Sequence, residues 1–242
     1  ILIAESLLAP YGKPNETELK QQAEQMALAR LRQLSAHEVG HTLGFNHNFA
    51  TSRQGNGSVM DYPHPALSIN ANNQIELNNA YGVGAGEWDD YVVQHAYREF
   101  AANTEERELE KLRAQIQQRG FRYSADSDAR SANSSHPDGL LWDYGADSLK
   151  TFDTILRART IALNNFSLSV LPPQRQAGEI EARLVPVYLL HRYQSEALAR
   201  KIGGVDYRYS IAADTQMGST TVSAKTQREA LQRLLKTLQA ET

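Results

Sequence analysis

The sequence predicts a mainly α-helical chain, and three observations lead to that expectation. Apolar residues recur at three- and four-residue intervals over long stretches, which is the spacing of helices buried on one face. Strand-like alternation is confined to a short stretch near 205–211. The composition is that of a globular protein, with 41% hydrophobic and 22% charged residues in 242.

The composition also excludes several classes of function. There are 25 Lys and Arg against 28 Asp and Glu, a net charge of −3, whereas nucleic-acid binders usually carry a basic face. No apolar run approaches the ~18–20 residues of a membrane-spanning helix. The absence of cysteine excludes disulfides, a thiol nucleophile and thiolate metal ligands. We therefore expect neither a nucleic-acid partner nor a membrane-spanning segment.

The first two predicted helices lead to the most informative part of the chain. A short apolar helix over 1–9 is stopped by Pro10-Tyr11-Gly12. A long helix then runs from Thr17 to about Gly44, where glycine favours a helix end. One face of this long helix carries five apolar residues at helical spacing: Leu19, Ala23, Met26, Ala27 and Leu34.

Beyond the long helix, the sequence alternates between loops and further helices. Residues 46–86 form a long, loop-rich segment of a kind that often carries function. Further helices are predicted over 87–102, 104–119, 147–165, 186–201 and 223–240, the fourth of them starting at Pro186. The polar, turn-rich stretch 122–139 marks a soft boundary between two regions.

The end of the long helix has the pattern of a metal site. Residues 37–47 read His-Glu-Val-Gly-His-Thr-Leu-Gly-Phe-Asn-His, which fills every fixed position of His-Glu-x-x-His-x-x-Gly-x-x-His. Chance would produce that match in on the order of a few in 10⁵ chains of this size, which disfavours the alternative that the histidines only fill an apolar face. His37 and His41 are one helical turn apart, and a turn at Gly44 lets His47 approach the same ion.

The ligand set and its neighbour predict a catalytic zinc ion. Three neutral imidazoles suit Zn²⁺ and leave its fourth position to water, whose pKa the metal lowers towards about 7. Glu38 adjoins the first ligand, where its carboxylate can take a proton from that water.

A second element carries a family resemblance. Ser58-Val59-Met60-Asp61-Tyr62-Pro63 follows the zinc pattern, and the two together resemble the metzincin metallopeptidases. The resemblance implies that Met60 lies in a tight turn, the Met-turn, as an apolar floor beneath the histidines. In astacin-like and serralysin-like branches a Tyr at the position of Tyr62 binds the metal or stabilises the oxyanion; the alternative for Tyr62 is an ordinary packed side chain.

The resemblance extends to one bacterial group. His37 to Ser52, the Met-turn and residues 81–90 are similar to large, exported, zinc-dependent metalloproteases of bacteria, as is the helix over 227–238. This resemblance implies a periplasmic, cell-surface or extracellular location. Asn48 departs from several metzincin branches, which carry an acidic residue or proline after the third histidine.

The resemblance also implies how the chain is organised. Residues 1–120 would be the metzincin-like zinc-binding region with the active-site helix and the Met-turn, and 121–242 a helical region packed on it. Only 36 residues precede His37, which is too few for the sheet that binds substrate in metzincins. We therefore expect the active-site helix and lower helical part of an α+β catalytic domain, with the sheet in upstream domains of a longer parent chain.

The predicted function is zinc-dependent endopeptidase activity on a peptide or protein substrate, with Glu38 as general base and Tyr62 supporting the oxyanion. One alternative is a zinc-containing scaffold or binding module that lacks catalysis because it lacks the sheet. Another is hydrolysis of a non-peptide amide or ester. A polar loop also offers possible Ca²⁺ ligands, against the simpler interpretation of a solvated loop: Asp126, Asp128 and Asp138.

Overall fold

The computed structural model describes residues 2–8, 16–131, 134, 136–212 and 218–239. Over these ranges the chain is mostly helical, which confirms the predicted mainly α fold. The helices are α1 (Leu2–Leu8), α2 (Glu16–Thr42), α3 (Glu87–Tyr97), α4 (Glu105–Gln118), α5 (Asp126–Ala129), α6 (Ser148–Asn164), α7 (Ile180–Tyr188), α8 (Arg192–Ala199) and α9 (Ala224–Lys236), with short 3-10 turns at Thr51–Gln54, Leu168–Val170 and Ala177–Glu179. The predicted stop at Pro10 to Gly12 lies outside the described residues.

The strands of the described ranges form two small hairpins. β1 (Ser68–Ile69) pairs antiparallel with β2 (Ile75–Glu76) inside the loop-rich segment. β3 (Val205–Tyr207) pairs antiparallel with β4 (Ser219–Thr221), so only the first part of the predicted strand at 205–211 forms. Neither hairpin could serve as the large substrate-binding sheet expected of an intact α+β domain.

Helix α2 carries apolar side chains on two opposite sides. Ala23 and Met26 are buried in the main core, on the same side as His37. At 100° per residue, Leu28 and Val39 lie on the opposite side and Leu31 lies next to them on the flank of the helix; Leu28, Leu31 and Val39 are 50%, 56% and 56% exposed. The helix is thus anchored on one side and presents an uncovered apolar stripe on the other.

The main core joins the two halves of the chain. Buried side chains of α1 and α2 pack with those of α6 and α7 and with the hairpin β1–β2; they include Leu7, Met26, Ile75, Ile155 and Val187. A smaller cluster joins α6 to α8 and α9 through Phe152, Leu198 and Ala230. Among the described helices none is long and apolar enough to cross a bilayer.

The prediction of one helix starting at Pro186 is wrong. Pro186 lies inside α7, which ends two residues later at Tyr188, and α8 begins at Arg192. Proline cannot donate a backbone N–H and its ring crowds the preceding turn, so it weakens the helix that contains it. Burial of Val187 in the core keeps this last turn helical in spite of that cost.

Candidate metal centre

The end of α2 and the turn that follows it bring three imidazoles together. Gly44 adopts φ 87°, and the N–H groups of Gly44 and Phe45 donate to the carbonyls of His41 and Gly40 at 3.0 and 3.1 Å. This left-handed cap ends the helix and turns the chain back towards it. One ring nitrogen from each of His37, His41 and His47 then lies within 4.8 Å of the other two.

The hydrogen bonds of the Nδ1 atoms fix the tautomer of each histidine. Nδ1 of His37 donates to the Val59 carbonyl at 2.7 Å, and Nδ1 of His41 donates to the Phe45 carbonyl at 2.8 Å. Nδ1 of His47 lies 2.6 Å from Oδ2 of Asp126. Carbonyl and carboxylate oxygens only accept, so the proton of each neutral ring sits on Nδ1 and each Nε2 carries a lone pair.

The Nε2 atoms of the three histidines form an arrangement that suits a cation. Nε2 of His41 and Nε2 of His47 are 3.1 Å apart with no proton left between them. Nε2 of His37 is buried and has no hydrogen-bond partner among the described residues. Burial also lowers the pKa of His37, which keeps its ring in the neutral form that binds metals. Converging lone pairs of this kind fit Zn²⁺, for which neutral imidazole is a preferred ligand.

The 58–63 segment, predicted to be the Met-turn, packs against the end of α2 that carries the histidines. Met60 is 1% exposed, and a Cβ added at Gly40 of α2 would overlap its sulfur. The turn is held from two sides. The carbonyl of Val59 accepts from His37 and also from Gln33 at 3.0 Å, while Asp89 of α3 accepts from the Val59 N–H at 2.9 Å.

Tyr62 lies against the cluster with its ring held on both faces. The ring stacks on His37 at a centroid distance of 4.9 Å and on Trp142 at 5.5 Å. Its hydroxyl is 3.2 Å from Nε2 of His47. The guanidinium of Arg130 also lies 5.7 Å from the ring centroid. The phenol is therefore both part of the packing and close to the ligand atoms.

Glu38 occupies the position next to the first histidine on α2 and is exposed. Its carboxylate belongs to the solvent-facing side of the helix, whereas His37 points inward and is fully buried. This arrangement leaves the Glu38 side chain accessible to solvent.

The structure adds two polar residues that the sequence pattern did not assign to the site. Asp126 contacts His47 from 79 positions along the chain. Asn48 is 0% exposed and binds the segment that precedes Asp126. The only sequence signal for Asn48 was its departure from other metzincin branches. No spacing rule links a residue so distant as Asp126 to the zinc pattern.

The three aspartates considered for Ca²⁺ have separate sets of partners. Asp126 binds His47, Asp128 accepts from the Ala125 N–H at 3.0 Å, and Asp138 accepts from Arg53 at 2.8 Å. In the described part of the chain, a group of three ligand-type side chains comes together only at the histidines. We therefore do not extend the metal assignment to calcium.

The comparisons with known proteins agree with this geometry. A family model described as Met-zincin matches residues 19–242, which is most of the chain. No curated protein and no solved structure matches the sequence.

Proposed function

Because this chain belongs to the Met-zincin family, we propose that it is a zinc-dependent endopeptidase that uses His37, His41 and His47 as metal ligands. The observation that carries the proposal is the convergence of three Nε2 lone pairs, two of them 3.1 Å apart, with every Nδ1 facing an acceptor. The same chemistry would hydrolyse an amide or ester, but the family favours peptides.

Glu38 and Tyr62 would each assist a different part of the reaction. Zinc bound at this site would supply a Lewis acid and a water of lowered pKa. Glu38 would take the proton of the attacking water on its exposed carboxylate and then deliver it to the leaving amine. The Tyr62 hydroxyl, 3.2 Å from Nε2 of His47, would donate a hydrogen bond to the substrate oxygen as that oxygen gains negative charge.

We also propose that the uncovered stripe of α2 is the contact surface for upstream domains of the parent protein. Leu28, Leu31 and Val39 are half-exposed or more on the active-site helix itself. A sheet packed there would lie beside the catalytic groups and could bind a peptide by strand addition. Replacing Leu28 and Leu31 by Gln should destabilise a chain extended upstream, and an equal effect on this chain alone would contradict the proposal.

The alternative is a zinc-containing scaffold without catalysis. The small size of the two described hairpins favours it for this chain, because neither provides a substrate-binding sheet. The exposed carboxylate of Glu38 favours the enzyme, since a purely structural zinc site needs no general base.

Cleavage of an unbiased peptide mixture, read by mass spectrometry, tests the proposal. The zinc-loaded chain should produce cuts that Glu38→Ala does not, while the variant binds zinc in the same one-to-one ratio. The measurement should be made on this chain and on a chain extended upstream. Zinc binding without cuts in either chain would support the scaffold instead.

A further inference from the structure

The three histidines are oriented by hydrogen-bond acceptors of two different kinds. Nδ1 of His37 and Nδ1 of His41 donate to backbone carbonyls, those of Val59 and Phe45. Nδ1 of His47 alone donates to a carboxylate, at 2.6 Å from Oδ2 of Asp126. The third ligand therefore depends on a side chain from a different element, the short helix α5.

We propose that Asp126 is the positioning residue of the third ligand, and that Asn48 holds the Asp126 segment in place to make this contact. The inference rests on the proposed zinc site but not on peptidase activity. A carboxylate that accepts from a ligand imidazole fixes the ring's orientation and tautomer and makes its inner nitrogen a stronger donor.

Asn48 binds the Asp126 segment through both ends of its amide. Its Nδ2 donates to the Arg122 carbonyl at 2.8 Å, and its Oδ1 accepts from the Ser124 N–H at 3.0 Å. The neighbouring Phe49 N–H donates to the Ser124 carbonyl at 2.9 Å. Asn48 directly follows His47, so these bonds attach the Asp126 segment to the chain immediately after the third ligand. An acidic side chain or proline at this position could not make both amide bonds.

Arg130, one helical turn after Asp126, is a second partner of the Asp126 carboxylate. It forms an ion pair with Asp126, and its guanidinium lies 5.6 Å from the Phe49 ring and 5.7 Å from the Tyr62 ring. Although partial burial acts in the opposite direction, the hydrogen bonds from His47 and Arg130 lower the pKa of Asp126. The Asp126 carboxylate is thus held in place by two partners, His47 and Arg130.

Zinc affinity of the whole chain tests the role of Asp126. Asp126→Ala should raise the zinc Kd by about 10- to 100-fold, the usual effect of losing such a partner. Asp126→Asn keeps an acceptor and should lose less affinity than Asp126→Ala. The matched control is Asp128→Ala in the same helix, which removes the hydrogen bonds that Asp128 accepts from the Ala125 N–H and the Tyr209 hydroxyl and removes no contact to a proposed ligand.

Competition with a chromophoric chelator gives the affinities, and the visible absorption of the Co²⁺-loaded protein reports on the ligand geometry. We expect Asp126→Ala to alter the Co²⁺ spectrum and Asp128→Ala to leave it unchanged. An unchanged zinc Kd in Asp126→Ala, or an equal loss in Asp128→Ala, would overturn the assignment. An equal loss would show that the segment matters only for local folding.

A double-mutant cycle tests the part of Asn48. Asn48→Ala should weaken zinc binding, and the double variant Asn48→Ala/Asp126→Ala should bind zinc no more weakly than Asp126→Ala alone, since both act through one contact. Additive losses would contradict the coupling. Neither measurement involves peptide cleavage, so zinc binding without cuts, both in this chain and in a chain extended upstream, would disprove the proposed function and leave this inference standing.

Discussion

At the scale of single residues, the site depends on side chains that have two tasks. Tyr62 packs between His37 and Trp142 and also brings its hydroxyl to 3.2 Å from Nε2 of His47. Trp142, which lies far from the zinc pattern in sequence, adopts φ 67° and donates its N–H to the Tyr62 carbonyl at 2.8 Å. The strained backbone of Trp142 is therefore tied to the residue that its ring supports.

Tyr62→Phe separates the two tasks of this residue. The ring would still pack between His37 and Trp142, so stability and zinc affinity should change little. Loss of the hydroxyl should lower kcat by about 10²–10³-fold with a smaller change in KM, as for other single oxyanion donors. Steady-state kinetics on a peptide identified from the mixture would measure this. Full kcat in Tyr62→Phe would mean that the ring is only a packing group.

The substitution Gly40→Ala tests the contact between α2 and the Met60 segment. A methyl group at this position would overlap the sulfur of Met60, which is buried, so the Met60 side chain would have to shift. Gly40→Ala should cost about 1–3 kcal/mol of unfolding free energy. Denaturant unfolding gives the value, and Gly178→Ala is the control because nothing lies within 4 Å of its added carbon. Equal costs at the two glycines would exclude overlap with Met60 as the cause.

At the scale of elements, loops rather than helices bring the site together. α2 supplies two ligands, but the Met-turn, the 122–125 segment and the stretch around Trp142 fix how they are oriented. Burial raises the pKa of two carboxylates of these loops, Asp61 and Asp143, and the nearby charge of Asp61 raises the pKa of Asp143 further. Asp61 accepts from Thr51 at 3.1 Å and from the Tyr62 N–H at 2.7 Å.

The burial of Asp61 predicts that the stability of the fold depends on pH. Burial raises the pKa of Asp61 from 3.8 to about 7, so the folded state binds the proton more tightly than the unfolded state. The contribution of Asp61 to stability is therefore greatest below about pH 4 and is lost as the pH rises through 7. Asp61→Asn mimics the neutral form and should gain stability relative to wild type as the pH rises from 4 to 7.

Urea unfolding of the two proteins at several pH values, with chelator present throughout, measures this difference. A difference in unfolding free energy that stays constant with pH would show that Asp61 titrates normally. Asp153→Asn serves as the control for a carboxylate at the surface, since Asp153 is 50% exposed and pairs with Arg233.

At the scale of the whole molecule, the metal site and the core link distant parts of the chain. The three proposed ligands come from α2 and the following turn, while the partner of His47 comes from α5. The main core joins α1 and α2 to α6 and α7. An ion at the site would therefore stabilise contacts between segments as well as the three rings.

Zinc should accordingly raise the melting temperature. Free zinc at 100 times its Kd should stabilise the fold by about 2.7 kcal/mol, which corresponds to about 5–10 °C for a chain of this size. Differential scanning fluorimetry with and without chelator measures the shift. Glu38→Ala should respond like wild type and His47→Ala should not. No shift in the wild-type chain would argue against a metal at the three histidines.

The sequence by itself determined the helical class, the start and end of α2 and the identity of the three histidines. These features depend on local spacing: helical periodicity, two histidines one turn apart and a glycine that can take a positive φ. The predicted helix face is confirmed at Ala23 and Met26, whereas the side chain of Leu19 lies outside the described residues. The short Ser-Val-Met-Asp-Tyr-Pro pattern is also local, and the Met-turn that it suggests stays a prediction.

Only the tertiary structure decided which groups surround those ligands. Asp126 and Trp142 reach the site through long loops, and their arrival depends on packing and hydrogen bonds between segments that no periodicity relates. The same holds for Pro186. The tolerance of proline in a first helical turn predicts a helix start there, but Pro186 lies inside α7, because burial of Val187 outweighs the local preference of proline. Local patterns thus specify the three proposed ligands, whereas long-range contacts specify their orientation.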